Sequence, residues 1–221
     1  DAPWQTLAKV NASAAAGDTI AFLPGAYPGT FEPGNDGTPE APIIFRSAEK
    51  QAAKLLGGNP AIILAKRRHI TIDGLAVTPT NGRFLQATEC ETIRITNCRF
   101  EGSRGSYVSS MFDRCRDIRI SDCEFDRHLS VRRGAVLVGN MIQANHCDGF
   151  VLERNTIGRA GHSPAHLREC KRMILRKNVF CAKWGRGFET FNAEPMLFEE
   201  NVITEEVDSG GSADSRGKIM A

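Results

Sequence analysis

Two side chains capable of acid–base chemistry stand one repeat interval apart, with a cation beside them. His166 and Glu189 stand 23 residues apart, and Arg168 follows His166 by two. An imidazole beside a carboxylate can take up or donate a proton, and a guanidinium can neutralise a carboxylate on a bound molecule. Further polar residues fall at matching positions: Asp113, then Gln143 and Asn145, with His162 just ahead of His166. Lys183-Trp184-Gly185-Arg186-Gly187 adds an aromatic plate, Trp184, next to a donor, Arg186. That pairing suits a rim that binds polar rings carrying carboxylates. The plainer alternatives are a solvated sheet face and a tryptophan covering the end of a loop. Which applies depends on the elements that position these residues.

The interval comes from an internal repeat. Residues 84–100 (FLQATECETIRITNCRF) and 109–125 (SSMFDRCRDIRISDCEF) share one template: a lead Cys, two alternating apolar residues, then Cys and a final apolar residue. It returns led by Cys147, Cys170 and Ala193, and a weaker first copy is led by Arg67. The lead positions 67, 90, 115, 147, 170 and 193 are therefore separated by 23, 25, 32, 23 and 23 residues. Alternation of Ile93 with Ile95, and of Ile118 with Ile120, is strand periodicity. Short strands wound once per roughly 23 residues predict a parallel β-solenoid, whose coils bury their apolar faces by stacking. The consensus and helical half of a leucine-rich repeat are both missing.

With the lead Cys facing inward, the residues four and two before it face outward. One outward column is then Gln86, Met111, Gln143, His166 and Glu189, and the other is Thr88, Asp113, Asn145, Arg168 and Phe191. Successive rungs lie about 4.8 Å apart, which makes His166 and Glu189 neighbours with Arg168 alongside. The 32-residue interval marks an inserted loop between Asp126 and Asn140, carrying His128, Arg132 and Arg133. Long loops on a rigid scaffold commonly build a site. On another strand, Val151, Ile174 and Leu197 make an outward apolar column, which predicts a cover from a partner subunit or from further chain.

Composition bounds the class. Hydrophobic residues at 41% and charged residues at 24% sustain a packed core. With 28 Lys and Arg against 26 Asp and Glu, the net charge is +2, and nothing marks a nucleic-acid or membrane-surface specialist. No apolar run approaches the ~20 residues of a membrane helix. The organisation expected is one all-β domain over residues 1–221. A capping helix is expected over 1–17, where Trp4, Leu7 and Val10 share a helical face ahead of Gly17. Irregular opening coils cover 18–66, and regular coils fill 67–221 with no cap at the C-terminal end. Lys218-Ile219-Met220 reads as the start of another coil, so a partner subunit or further chain is expected over the last one.

Six of the seven cysteines are read as buried reduced ladders, because four occupy one repeat position and two another, while Cys181 stands apart. Asn155, Asn178 and Asn201 recur at spacings of 23 and are read as a turn ladder in left-handed backbone, bonded coil to coil. There is no Cys-x-x-Cys pair, and His162 and His166 lie about 13 Å apart along an extended strand, so no metal ligand is assigned. Glu205, Glu206, Asp208 and Asp214 offer oxygens of the kind calcium takes, without the EF-hand pattern. No cofactor is called for, and Ca2+ is the one ion the composition leaves open.

Residues 17–31 (GDTIAFLPGAYPGTF), 37–48 (GTPEAPIIFRSA) and 69–77 (HITIDGLAV) resemble the opening of right-handed parallel β-helix proteins of the pectate-lyase-like superfamily. In style they are similar to the chondroitinase B and alginate lyase group of polysaccharide lyases. The resemblance implies a right-handed coil and an extracellular or periplasmic carbohydrate-active protein. The group's calcium-binding and Lys/Arg catalytic motifs have no counterpart here, so no residue role is carried over. Taken with the outward columns, the expected activity is β-elimination on an acidic, uronate-containing polysaccharide. His166, Arg168 and Glu189 are the expected catalytic residues, with Trp184, Arg186, Asp113, Gln143, Asn145 and His162 in binding. A glycoside hydrolase, in which Glu189 would pair with Asp208 or Asp214, is one alternative. A non-catalytic glycan-binding or structural solenoid is the other.

Overall fold

The computed structural model describes residues 4–79, 81–103, 106–126, 131–133, 136–158, 160–182 and 188–205. Three parallel sheets of eight, eight and six strands run along one axis. The first sheet comprises Thr19–Phe22, Ile43–Ser47, Arg68–Asp73, Glu91–Thr96, Arg116–Ser121, Asp148–Glu153, Met173–Arg176 and Met196–Glu199. The second runs from Gly25–Pro28 to Val202–Glu205. The third holds Ile62–Ala65, Leu85–Thr88, Val108–Asp113, Asn140–Asn145, Ser163–Arg168 and Glu189–Phe191. Six successive coils contribute one strand to each sheet, while the first and last described coils add strands to the first and second sheets, giving a solenoid of about seven turns.

The template residues stack in register. Ile70, Ile93, Ile118 and Phe150 form one inward column of the first sheet, and Ile72, Ile95, Ile120 and Leu152 form the next. All eight are buried. Each copy hides its apolar pair only against the copy before and after, so the repeat and the core are one fact. The coils within 18–66 are more regular than expected. Thr19–Phe22 already pairs in parallel with Ile43–Ser47, and Gly25–Pro28 with Ala53–Leu56.

Left-handed residues turn the corners. Lys66, Glu89, Arg114, His146, Glu169 and Asn192 each precede a lead position, with φ between 50° and 58°. Such a residue breaks the in–out alternation of a strand. Thr88 can therefore face outward while Cys90, two residues on, is buried. A second set, Arg154, Lys177 and Glu200, precedes the asparagine column with φ of 53°, 55° and 51°. This corrects the sequence reading, which put the left-handed backbone on the asparagines themselves. Each asparagine must aim its amide along the stack, and the residue before it makes the turn. Asn155 Nδ2 donates to Asn178 Oδ1 at 3.0 Å, and Asn178 Nδ2 to Asn201 Oδ1 at 2.9 Å.

The same column begins with thiols, Cys98 and Cys123, and Cys123 N donates to Asn155 Oδ1 at 3.0 Å where the chemistry changes. All seven cysteines are free and six are buried. Burial, reinforced by Cys98 beside it, pushes the Cys123 thiol well above its ordinary range.

The cap is shorter than 1–17. The helix spans Leu7–Ser13, with Thr6 Oγ1 accepting from Lys9 N at 3.2 Å as its N-cap. Leu7 and Val10 are buried, whereas Trp4 lies ahead of the cap and is exposed. Ala14 is already extended, which ends the helix before Gly17. In the inserted segment, Val131–Arg133 and Val136–Val138 pair as an antiparallel hairpin, while Asn140 opens the next strand of the third sheet.

Candidate active site

The outer face of the third sheet carries the two predicted columns. Gln86, Met111, Gln143, His166 and Glu189 align rung by rung, as do Thr88, Asp113, Asn145, Arg168 and Phe191. Beneath them Phe112, Ala144 and Leu167 are fully packed, so the face is mounted on a rigid floor.

His166 and Glu189 meet. Nδ1 of His166 lies 3.1 Å from Oε2 of Glu189, and both side chains are largely shielded from solvent. A carboxylate oxygen accepts, so Nδ1 of His166 is the donor in this contact, and Nε2 is the nitrogen left to face a ligand. The His166 ring also stacks on Phe191, with centroids 5.2 Å apart and planes at 29°. Phe191 itself is 53% exposed.

His162 joins them, contrary to the separation expected along an extended strand. Its Nδ1 lies 3.3 Å from the same Oε2 of Glu189. The strand begins only at Ser163, and His162 sits in the bend before it, so the two imidazoles converge from different backbone directions. Among the described residues, no group of three or more His, Cys, Asp or Glu side chains is arranged to hold a metal ion. Asp208 and Asp214 lie outside the described residues.

Two further side chains belong to the face and were missed in the sequence. Asn140 Oδ1 lies 3.2 Å from His162 Nδ1, and Asn140 Nδ2 donates to Gln143 Oε1 at 3.1 Å. Gln143 Nε2 in turn donates to Asn145 Oδ1 at 3.2 Å, completing a chain of amides. Arg83 donates from Nη1 to Gln86 Oε1 at 3.0 Å and from Nε to Ser106 Oγ at 3.2 Å. Both residues lie outside the two columns that the repeat projects, which is why spacing did not find them. Arg168 stands on the expected face, but its Nε pairs with Glu169 Oε1 at 3.2 Å. Asp113 Oδ2 pairs with Arg114 Nη1 at 2.7 Å. Trp184 and Arg186 lie outside the described residues, as does His128.

Charge is organised differently on the first sheet. Glu153 is buried among Arg119 at 3.6 Å, Arg176 at 2.9 Å and Arg154. Burial would raise its carboxyl, but the Arg176 hydrogen bond and the surrounding guanidinium charges outweigh this and hold it below the usual carboxylate range. Hydrogen bonds from Arg154 and Arg172 likewise lower Asp122 and Asp148.

The stacked coils and the polar face of the third sheet define a parallel β-solenoid with a candidate site along its flank. Residues 60–219 match the family model described as the right handed beta helix region, and the chain belongs to that family. No curated protein matches it in sequence. Among solved structures it is similar to an alginate lyase from Paenibacillus sp. str. FPU-7, with a TM-score of 0.64 and 17% identity over 90% of this chain and 72% of that one. It is also similar to a rhamnogalacturonan lyase, with a TM-score of 0.63 and 14% identity over 95% of this chain and 58% of that one. At these identities the likeness is one of fold.

Proposed function

We propose that the chain is a polysaccharide lyase that cleaves an acidic, uronate-containing polymer by β-elimination, in an extracellular or periplasmic setting. The observation that carries this reading is the His166–Glu189 hydrogen bond on a polar, solvent-facing sheet. His166 Nε2 removes the ring proton next to the uronate carboxylate, and Glu189 stabilises the imidazolium that forms. The electron pair left on that carbon forms a ring double bond as the adjacent carbon–oxygen bond to the next sugar breaks. The departing oxygen takes a proton from the imidazolium or from water. A cation must neutralise the carboxylate to make that ring proton removable. Arg168 takes this role by exchanging Glu169 for the substrate. His162, Gln143, Asn145 and Asp113 hold the sugar hydroxyls, and Trp184 and Arg186 form the rim.

The fold shared with two structures named as polysaccharide lyases supports this reading.

The test is incubation with a panel of uronate polymers while absorbance of unsaturated product is followed. Product that forms with the native chain and falls by about 10²–10⁴-fold in His166→Ala is the expected result. Release of reducing ends without unsaturation, or no product from any uronate polymer, would overturn it.

A further inference from the structure

The third sheet carries cation and aromatic side chains on both sides of the strand that bears its amide chain. On one side are Arg168 and the exposed Phe191, beside His166. On the other are Arg83 and Tyr107, which is 49% exposed. We propose that Arg83 and Tyr107 form a distal subsite for an acidic sugar, two to three rungs from His166, and that the polymer lies along the solenoid axis between the two. This rests on reading the face as an acidic-polymer site.

Three observations carry it. First, Arg83 is built in rather than loosely attached. Its own carbonyl accepts from Ala61 N at 3.0 Å, and Phe84 N donates to Ser109 O at 2.8 Å. Ser103 Oγ holds the carbonyl of Gly82 just before it at 2.7 Å. A side chain on Gly82 would collide with Asn59, which fixes the close approach of this segment. Second, the Arg83 guanidinium is held by neutral groups, Gln86 and Ser106, and makes no ion pair among the described residues. A guanidinium has five N–H donors, and these two bonds leave three for a ligand. A half-buried cation held in place by neutral acceptors is preorganised for an anion, and a planar carboxylate matches its fork. Third, Tyr107 follows Ser106 directly and is exposed, so it enters the same face next to the residue that accepts from Arg83. Its carbonyl is tied to Asn140 N at 2.7 Å, which links this end to the His162 end.

The rungs advance by about 4.8 Å, close to the advance of one 1,4-linked pyranose. Arg83 acts at the rung of Gln86, three rungs from His166, and Ser106 and Tyr107 precede the rung of Met111, two rungs away. A uronate two or three units from the cleaved bond therefore reaches them, and a dimer does not.

The experiment uses the full chain carrying His166→Ala, so that substrate is bound but not consumed. Calorimetric titration with oligomannuronates and oligogalacturonates, from dimer to hexamer, should show affinity rising once the oligomer spans the face. Adding Arg83→Gln should remove about tenfold of that rise, with Arg83→Lys recovering part of it. Tyr107→Ala, at a solvent-exposed position, should cut the same rise and stands in if Arg83→Gln fails to fold. Affinity that rises with length equally in all variants, or falls equally at every length, overturns the subsite while leaving the lyase reading intact. Binding of no uronate oligomer by the His166→Ala chain, with no product from the native one, overturns both.

Discussion

The outer faces of the first and third sheets are made by the same repeat, yet they handle charge differently. On the first sheet the charges close on one another. Arg68 meets Glu91 at 3.7 Å, Arg94 meets Asp117 at 2.6 Å, Arg172 meets Asp148 at 2.7 Å, and Glu153 sits among three arginines. On the third sheet the two columns carry mainly amides with the His166–Glu189 pair, Arg168 and Asp113 turn to Glu169 and Arg114 at the corner, and Arg83 is held without a carboxylate. A face that neutralises itself spends its donors on neighbouring coils and contributes to stability. A face of amides, imidazoles and an unneutralised guanidinium keeps donors for something else. The difference separates a scaffold from a site on one continuous solenoid.

Substitutions can break that contrast, and the largest effect is expected at the dyad. His166→Ala should lower lyase turnover by about 10²–10⁴-fold while moving the melting temperature little. Equal loss of both would make the third-sheet face structural after all. Asn178→Ala comes next. It strips acceptors from Asn155 N and Nδ2 and a donor from Leu152 O, all buried. Denaturant unfolding should show a loss of about 2–4 kcal/mol, with activity per folded molecule retained. Glu153→Gln should cost about 1–3 kcal/mol, again without loss of turnover, because it leaves three arginines crowded together. A fall in turnover at constant stability would move function onto the first sheet.

The smallest expected effect is that of acid. Asp122, Asp148 and Glu153 titrate below their usual range in the folded chain. Their stabilisation is complete above the unfolded carboxylate values of about 4 and is lost as pH falls through the lowered folded values. Melting temperatures recorded on the acid side should decline below about pH 4, and the decline should be shallower in Glu153→Gln. An identical slope in that variant would remove Glu153 from the effect.

Much of this was legible in the chain itself. Lead positions at 23-residue spacing predicted stacked coils, and the Ile93/Ile95 pattern predicted strands. The outward columns proved to be right for a reason that counting along a strand does not supply. Alternation would put Thr88 on the side of the buried Cys90, and the left-handed Glu89 between them turns it outward. Other features were illegible because they depend on where backbone bends. Nothing in the spacing of His162 and His166 says that the strand starts at Ser163, and so that both imidazoles reach Glu189. Asn140 and Arg83 stand outside the template, one after the inserted hairpin and the other ahead of its strand. Periodicity has no means of aiming their side chains. The helix, too, stopped short of Gly17, because Ala14 leaves helical backbone first.

By itself, then, the sequence determined the repeat, the strand period, the inward apolar residues and which polar residues share a rung. These are one-dimensional properties, and a solenoid maps one dimension directly onto space, since each coil meets only its neighbours. The tertiary structure alone decided which residue turns each corner, which imidazoles converge on Glu189, and which charges are neutralised. Those outcomes depend on side-chain direction and on contacts across loops, where left-handed residues reset the alternation that the sequence pattern counts.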